Sequence, residues 1–280
     1  MTNKSHLDIE REQYLNKWGK NSSSFKEQKL YEWMVSKVKR FSPKSIFDIG
    51  CGDGNALICL IEHLHNRRVK IISIDENIEC LKAAKRNIEE AGITVELIER
   101  LNTNYINSKL YSLEHSKIDG SFDKQITLIE SDFLIDEYLS SFLKDYGKFD
   151  LVTIWLIGTH SDRDNCENLS CLNEDVAPSK NYRLKVQNGV YELSDAILRK
   201  NGILQVVDRN ELPRDKLLKD EIIKLHNAQA SVTSLKVTGL DYIPYKEPDN
   251  GIEMEISSKL SGRIPEKFKL AITSVISVRS

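Results

Sequence analysis

The sequence predicts an α/β protein: a doubly wound, mostly parallel sheet of seven strands with helices on both faces and a helical segment as an N-terminal cap. Three observations carry this. From Ser45 to the C-terminus, short apolar runs alternate with segments of helical periodicity, the pattern of a parallel sheet with crossover helices. The first apolar run leads straight into Gly50-Cys51-Gly52-Asp53-Gly54, a loop able to turn sharply between a strand and a helix. The chain of 280 residues, 40% hydrophobic, is long enough for one large domain with a small cap.

Taken in order, residues 1–42 read as the helical cap. Tyr14 and Trp18 are four apart, Leu30, Trp33, Met34 and Val38 continue a helical stripe, and Asn21-Ser22-Ser23-Ser24 marks a joint between two helices before the break at Ser42-Pro43. Residues 43–280 form the main domain. Ser45 to Ile49 is its first strand, and a helix runs from Asn55 to about His65. A second strand, Val69 to Ile74, ends on Asp75 and is followed by a helix that stops at Ala91-Gly92. Ile93 to Ile98 and Gln125 to Ile129 compete for the third strand. The later run is preferred, because it leads into Ser131-Asp132-Phe133 and a helix from Ile135 to Leu143. On that choice about 93–124 is an insertion, longer than most loops in such folds.

Phe149 to Ile157 is the clearest buried strand, and the polar stretch 161–181 reads as a long loop. A helix from about Leu184 to Lys200, closed by Asn201-Gly202, precedes a fifth strand, Ile203 to Val207. A further helix spans Lys216 to Ala228, and Ser234 to Leu240 and Leu270 to Val278 supply two last strands.

Forty basic against forty-two acidic residues give a formal charge of -2, so the excess positive field that non-specific nucleic-acid binding draws on is missing. Nucleic acid is disfavoured as a partner. The start of the chain has no apolar core like that of a secretory signal, and nowhere do about 18 apolar residues stand in a row. A cytoplasmic protein without a membrane partner is expected. The five cysteines, Cys51, Cys59, Cys80, Cys166 and Cys171, form no CxxC pair and read as reduced thiols. No metal site is predicted, since Cys166 and Cys171 lack a second ligand pair.

In an open α/β sheet a nucleotide-like ligand sits at the carboxyl ends of the strands, where strand order reverses. The glycine loop lies at such an end. Asp48-x-Gly50-x-Gly52-x-Gly54, followed one βα unit later by Asp75, with Ser131-Asp132-Phe133 after a third strand, resembles the class I S-adenosylmethionine-dependent methyltransferases. That resemblance implies S-adenosylmethionine as cofactor. It implies that Asp48 and the backbone from Gly50 through Cys51, Gly52 and Gly54 face the methionine part, that Asp75 accepts from the ribose hydroxyls, and that Asp132 meets the adenine amino group beside Phe133. Trp155, at the end of the fourth strand, is grouped with these cofactor residues. A vicinal diol offers two donors, and a carboxylate is the acceptor that matches both.

Two other readings stand beside it. Asp75 would also serve as a helix N-cap. A dinucleotide-binding oxidoreductase shares the glycine loop and the distant acid, but its GxGxxG pattern would need glycine where Asn55 stands. A methyltransferase-like binding protein without catalysis is a third reading.

In the resembling family the acceptor binds after the fourth strand, here Trp155-Leu156-Ile157-Gly158-Thr159-His160-Ser161-Asp162. Members that methylate base amino groups or glutamine amides carry Asn or Asp followed by Pro-Pro and an aromatic there, and this chain does not. His160 is the candidate general base, because an imidazole titrates near neutral pH. Methyl transfer to a small-molecule or peptide acceptor is expected, with RNA or protein as the alternative acceptors.

Overall fold

A computed structural model describes residues 4–64, 68–172, 177–252 and 269–280. Among them, eight strands form one sheet in the order β3-β6-β2-β1-β7-β8-β10-β9. The strands are β1 (Ser45–Ile49), β2 (Lys70–Asp75), β3 (Val95–Ile98), β6 (Ile126–Glu130), β7 (Phe149–Trp155), β8 (Leu198–Glu211), β9 (Leu235–Pro244) and β10 (Leu270–Arg279). Every pairing from β3 to β8 is parallel, and β10 runs antiparallel between β8 and β9. The helices are α1 (His6–Glu27), α2 (Leu30–Lys39), α3 (Asn55–His63), α4 (Ile78–Glu90), α5 (Leu139–Tyr146), α6 (Glu167–Ser170), α7 (Pro178–Ile197) and α8 (Lys216–Ala230). His65, the expected end of the third helix, lies outside the described residues.

The strands read as apolar on both faces because both faces are covered. Along β1, Ile46 packs with α2, α3 and α4 through Met34, Leu57 and Leu81, whereas Phe47 packs with α5 and α7 through Leu143 and Val190. That is a doubly wound sheet. Sheet growth changes direction between β1 and β7: the chain lays down β2 and β6 on one side of β1, then returns to lay down β7 and β8 on the other. The crevice at the carboxyl ends of β1 and β7 is the place such a fold offers to a ligand.

The departures from the sequence reading have identifiable causes. The sheet has eight strands rather than seven because both candidates for the third strand enter it, β3 pairing parallel with the outer side of β6. The stretch about 93–124 therefore contains a sheet strand, and its remainder forms a hairpin, β4 (Leu101–Tyr105) with β5 (Tyr111–His115). The hairpin packs through Tyr111 and Leu113 on Leu7, Cys166 and Leu169. Asn21-Ser22-Ser23-Ser24 makes no joint. α1 runs through it, and the turn falls at Gln28-Lys29, with Lys29 in the left-handed region. These polar side chains find tertiary partners instead of breaking the helix: the Ser22 hydroxyl donates to Asp53 at 2.7 Å, and Asn21 accepts from the Ile252 amide at 2.6 Å. Within 161–181 the chain forms a 3-10 turn (Ser161–Asn165), α6 and the start of α7. Residues 173–176 lie outside the described residues. α7 begins six residues before Leu184, with Pro178 in its first turn, where proline is well tolerated. Asn201-Gly202 closes no helix; it lies within β8, where the register with β7 shifts.

Asp48 ties the sheet together at the switch point. It is buried, and it accepts from the Ser73 hydroxyl of β2 and the Thr153 hydroxyl of β7, each at 2.6 Å. Asp48→Ala should cost roughly 2–4 kcal/mol of stability, because two buried hydroxyls lose their partner. Asp48→Asn should cost less, since a hydroxyl can accept as well as donate. Urea unfolding of the two variants measures the difference.

Candidate functional site

The glycine loop follows β1 directly, and its shape is one that only glycine adopts freely. Gly52 and Gly54 have φ of +52° and +82°, in the left-handed region where a Cβ is strained. Space is also short. A Cβ on Gly52 would lie 2.2 Å from Trp18 Nε1, and one on Gly54 would lie 3.0 Å from the Ala84 Cα of α4. The loop is thus closed against α4 on one side and against the cap helix α1 on the other. The Ser22–Asp53 bond and the Asn55 side-chain amide, which donates to Asp53 at 2.8 Å, fix its far end.

Beside this loop is a narrow cavity of about 50 Å³. Its floor is Gly50, Gly52 and Ile157. Asp75, Glu76 and Asn77 enter from β2, Ser131 and Phe133 from β6, Gly158 and Thr159 from β7, and Tyr182 from α7. Tyr14 and Trp18 of α1 form the roof. A Cβ on Gly158 would meet the Tyr14 hydroxyl at 2.6 Å. Leu156, the first residue after β7, takes a left-handed φ of +58° while its amide donates to Val207. A non-glycine residue there carries strain of about 1–3 kcal/mol. It turns the chain out of the sheet so that Ile157, Gly158 and Thr159 run along the cavity wall.

The carboxylates at the strand ends have separate partners. Asp75 accepts from the Gly52 amide at 3.1 Å and the Asn77 amide at 2.9 Å. Each bond uses one oxygen, and a carboxylate offers about four acceptor positions in all, so capacity remains toward the cavity. Burial, and after it the neighbouring Glu76 charge, push the Asp75 carboxyl up to about 7 against the pull of the two amides. Asp75 does not cap the helix that follows: the N-cap of α4 is Asn77, whose side chain accepts from the Glu79 amide.

Glu76 points the other way, into a buried ionic cluster. Its carboxylate meets Arg11 of α1 at 3.1 Å, Arg163 at 3.2 Å and His160 Nε2 at 3.0 Å. Burial pushes its pKa up, but Arg163, His160 and Arg11 together hold it well below the usual carboxylate range. Nothing in the sequence motif marked Glu76. The only signal was an acid directly after Asp75, with arginines 65 residues before it and 87 after.

The residues expected at the site divide accordingly. Gly50, Gly52, Asp75 and Phe133 line the cavity. Asp48 is committed to Ser73 and Thr153 as described. Cys51 is buried, with its Sγ 3.8 Å from Asp75 and its thiol pushed up by burial. Gly54 packs on Ala84, away from the cavity. Asp132 is buried and pairs with the Arg163 guanidinium, while its Oδ1 accepts from the Leu134 amide at 2.8 Å. Trp155 sits in the core and donates to Gln205 at 3.0 Å. His160 is off the cavity wall, turned toward Glu76. Tyr14, Trp18, Glu76, Thr159 and Tyr182 are wall residues that the motif did not specify.

The lining fits a bound cofactor in its chemistry. Among the described residues the wall has a glycine cradle, two carboxylates, several aromatic rings and no Lys, Arg or His. Two wall atoms, Trp18 Nε1 and Thr159 Oγ1, are buried without a hydrogen-bond partner, the condition of groups whose partner arrives with a ligand. Size is a different matter. A cavity of this volume is far smaller than a nucleoside, so one enters only if part of the wall moves.

No protein-family model and no curated protein sequence matches the chain. Among solved structures, the methyltransferase domain of bacterial CtHen1-C is similar at 15% identity over 91% of this chain and 99% of that one, with a TM-score of 0.47. An O-methyltransferase from Bacillus cereus in complex with SAH is similar at 11% identity over 89% and 80%, with a TM-score of 0.43. TomG of Streptomyces achromogenes, an O-methyltransferase involved in tomaymycin synthesis, is similar at 9% identity over 94% and 89%, with a TM-score of 0.44. Similarity of this extent concerns general architecture, and the chemistry of the site has to be read from its own residues. Fold and site together define an α/β protein with a ligand crevice at a topological switch point. Among the described residues no helix is long and apolar enough to cross a membrane.

The Asp75 carboxyl gives the site a pH signature. A ligand that offers two hydroxyl donors and a positive charge binds the ionised form. Below about pH 7 the ligand-free protein holds a proton on Asp75 that must leave on binding. Affinity should therefore rise with pH, by up to about tenfold per unit below 7, and level off above it. Calorimetry in two buffers of different ionisation enthalpy should detect the released proton, and Asp75→Asn should abolish both the slope and the release.

Proposed function

We propose that this protein is an S-adenosylmethionine-dependent methyltransferase acting on a small-molecule or peptide acceptor. One observation carries the reading: the cavity over the glycine loop is walled by Asp75 and Glu76 and by no basic side chain. Because Arg11 and Arg163 neutralise Glu76 from behind, the wall carboxylate without a counter-charge is Asp75; ionised, it favours a cation, and S-adenosylmethionine is a sulfonium. The same charge opposes a dinucleotide, whose pyrophosphate would bring negative charge to that carboxylate. The Gly52 amide, which a pyrophosphate would need, already donates to Asp75.

On this reading Asp75 uses its remaining acceptor capacity for the two ribose hydroxyls, and Phe133 lies beside the adenine. Bound cofactor supplies an activated methyl group. The chain's own contribution is to hold the acceptor in line and to exclude water, which the roof of Tyr14 and Trp18 and the wall from Leu156 to Thr159 are placed to do. Glu76 holds His160 at Nε2 and leaves Nδ1 to take a proton, but the ring is off the cavity wall, so it acts as a general base only by moving to the cavity. In its present position it orients the wall through that carboxylate, and the acceptor is methylated in an already nucleophilic form. With a net charge of -2 the chain offers RNA no general electrostatic attraction, which favours the smaller acceptors.

S-adenosylmethionine or S-adenosylhomocysteine should raise the melting temperature and NAD should not. A ligand that binds only the folded state adds about 2.7 kcal/mol at a hundred times its dissociation constant. A shift with NAD alone would overturn the reading. Gly52→Ala should lower cofactor affinity by at least about tenfold, since its methyl strains the loop and meets the Trp18 indole. Gly19→Ala, whose Cβ meets nothing within 4 Å, is the matched control in a titration.

A further inference from the structure

Trp18 Nε1 is a buried donor without a partner among the described residues. The residue is 8% exposed, it lines the cavity, and a Cβ on Gly52 would meet its nitrogen at 2.2 Å. An indole N–H can only donate, so whatever completes it is an acceptor. The Tyr14 and Thr159 hydroxyls on the same wall can accept as well as donate, and make no such demand.

S-adenosylmethionine brings one anionic group, its α-carboxylate, into a cavity whose wall contains two carboxylates and no cation. A desolvated anion needs donors, and here they must be neutral ones. Several of the candidates are engaged: the Gly52 amide donates to Asp75, one N–H of the Asn77 side chain donates to the Arg11 carbonyl, and the Tyr182 hydroxyl is directed at Asp132. The Trp18 N–H is unspent and adjoins the glycine loop.

We propose that the Trp18 indole N–H donates to the α-carboxylate of bound S-adenosylmethionine, so that the cap helix recognises the amino-acid end of the cofactor directly. This rests on the function proposed above. Because the indole abuts Gly52, a ligand arriving over the loop pushes the ring outward and meets the N–H on its inner edge. The cap thereby distinguishes the intact cofactor from adenosine-containing fragments that lack a carboxylate.

The test is a thermodynamic cycle measured by calorimetry. Trp18→Phe keeps an aromatic ring beside Phe25 and removes the donor together with some bulk, a loss that both ligands of the cycle share. S-adenosylmethionine is compared with its decarboxylated form, which keeps the adenosine, the sulfonium and the amine. Trp18→Phe should weaken S-adenosylmethionine by at least about tenfold, the lower end for a hydrogen bond to a charged group, and leave the decarboxylated compound within about twofold. Equal losses for the two ligands, or an unchanged or higher affinity for S-adenosylmethionine, overturn the inference and leave the function standing. If wild-type protein binds neither ligand, the proposed function itself falls. Should the variant not fold, wild-type protein with 15N-labelled indoles decides: the Trp18 N–H resonance should move downfield with S-adenosylmethionine and not with the decarboxylated compound, and no difference between the two overturns the inference.

Discussion

The arrangement of the site depends on one buried carboxylate. Glu76 stands at the end of β2, where water cannot solvate it, and a charge in that position persists only with counter-charges in contact. It takes Arg11 from α1, and His160 and Arg163 from the turn after β7. Two segments far apart in sequence are thereby drawn to one strand end. Asn77 adds a second tie, donating to the Arg11 carbonyl. Removing the Glu76 charge would leave two arginines buried without a full complement of partners, which is the costly way to break such a cluster. The roof and one wall of the cavity are thus fixed by an interaction that lies behind the cavity.

The four acids at or near the strand ends show how partners, not positions, assign roles. Asp48 binds β1 to its two neighbours through hydroxyls and has no part of the cavity wall. Asp75 bonds two amides and retains free acceptor capacity toward the cavity. Glu76 is neutralised by cations behind it, and Asp132 by Arg163. In sequence all four are acidic residues inside or just after an apolar run. Only the tertiary partners separate a sheet fastener from a group that can meet a ligand.

What was legible in the sequence was what local chemistry determines. The strand that runs into Gly50-Cys51-Gly52-Asp53-Gly54 could be read because its apolar run and its glycines answer to backbone sterics. The strands buried on both faces could be read because they are continuous in Val, Ile and Leu. β3 was legible as a candidate, Ile93 to Ile98, but where a single third strand is sought the later run takes precedence, because it leads into Ser131-Asp132-Phe133; in the fold β3 is the edge strand beside that run. The run Asn21 to Ser24 misled for a different reason. Its residues disfavour a helix in isolation, but Asp53 and Ile252 supply partners for them across the fold. Glu76 was illegible because its role comes from Arg11 and Arg163, brought to it only by the tertiary fold. Trp18 read as a cap aromatic, and the unpaired state of its nitrogen is visible only when Gly52 is in place beneath it.

The cap is fastened at both ends, with two aromatic rings between the ties. Arg11 clamps its first half to β2 and Ser22 clamps its second half to the glycine loop, while Tyr14 and Trp18 lie between these ties. A ligand that needs the space under the two rings therefore has two routes: it can break the ionic clamp and lift the helix, or it can leave the clamps intact and turn the rings. The first exposes a buried cluster of charges, which costs far more than rotating two side chains between rotamers. The second leaves Trp18 with a partner it otherwise lacks. The balance favours a cap that stays docked while its aromatic side chains open and close over the site. On that account the backbone of α1 belongs to the scaffold, and the gate consists of two rings.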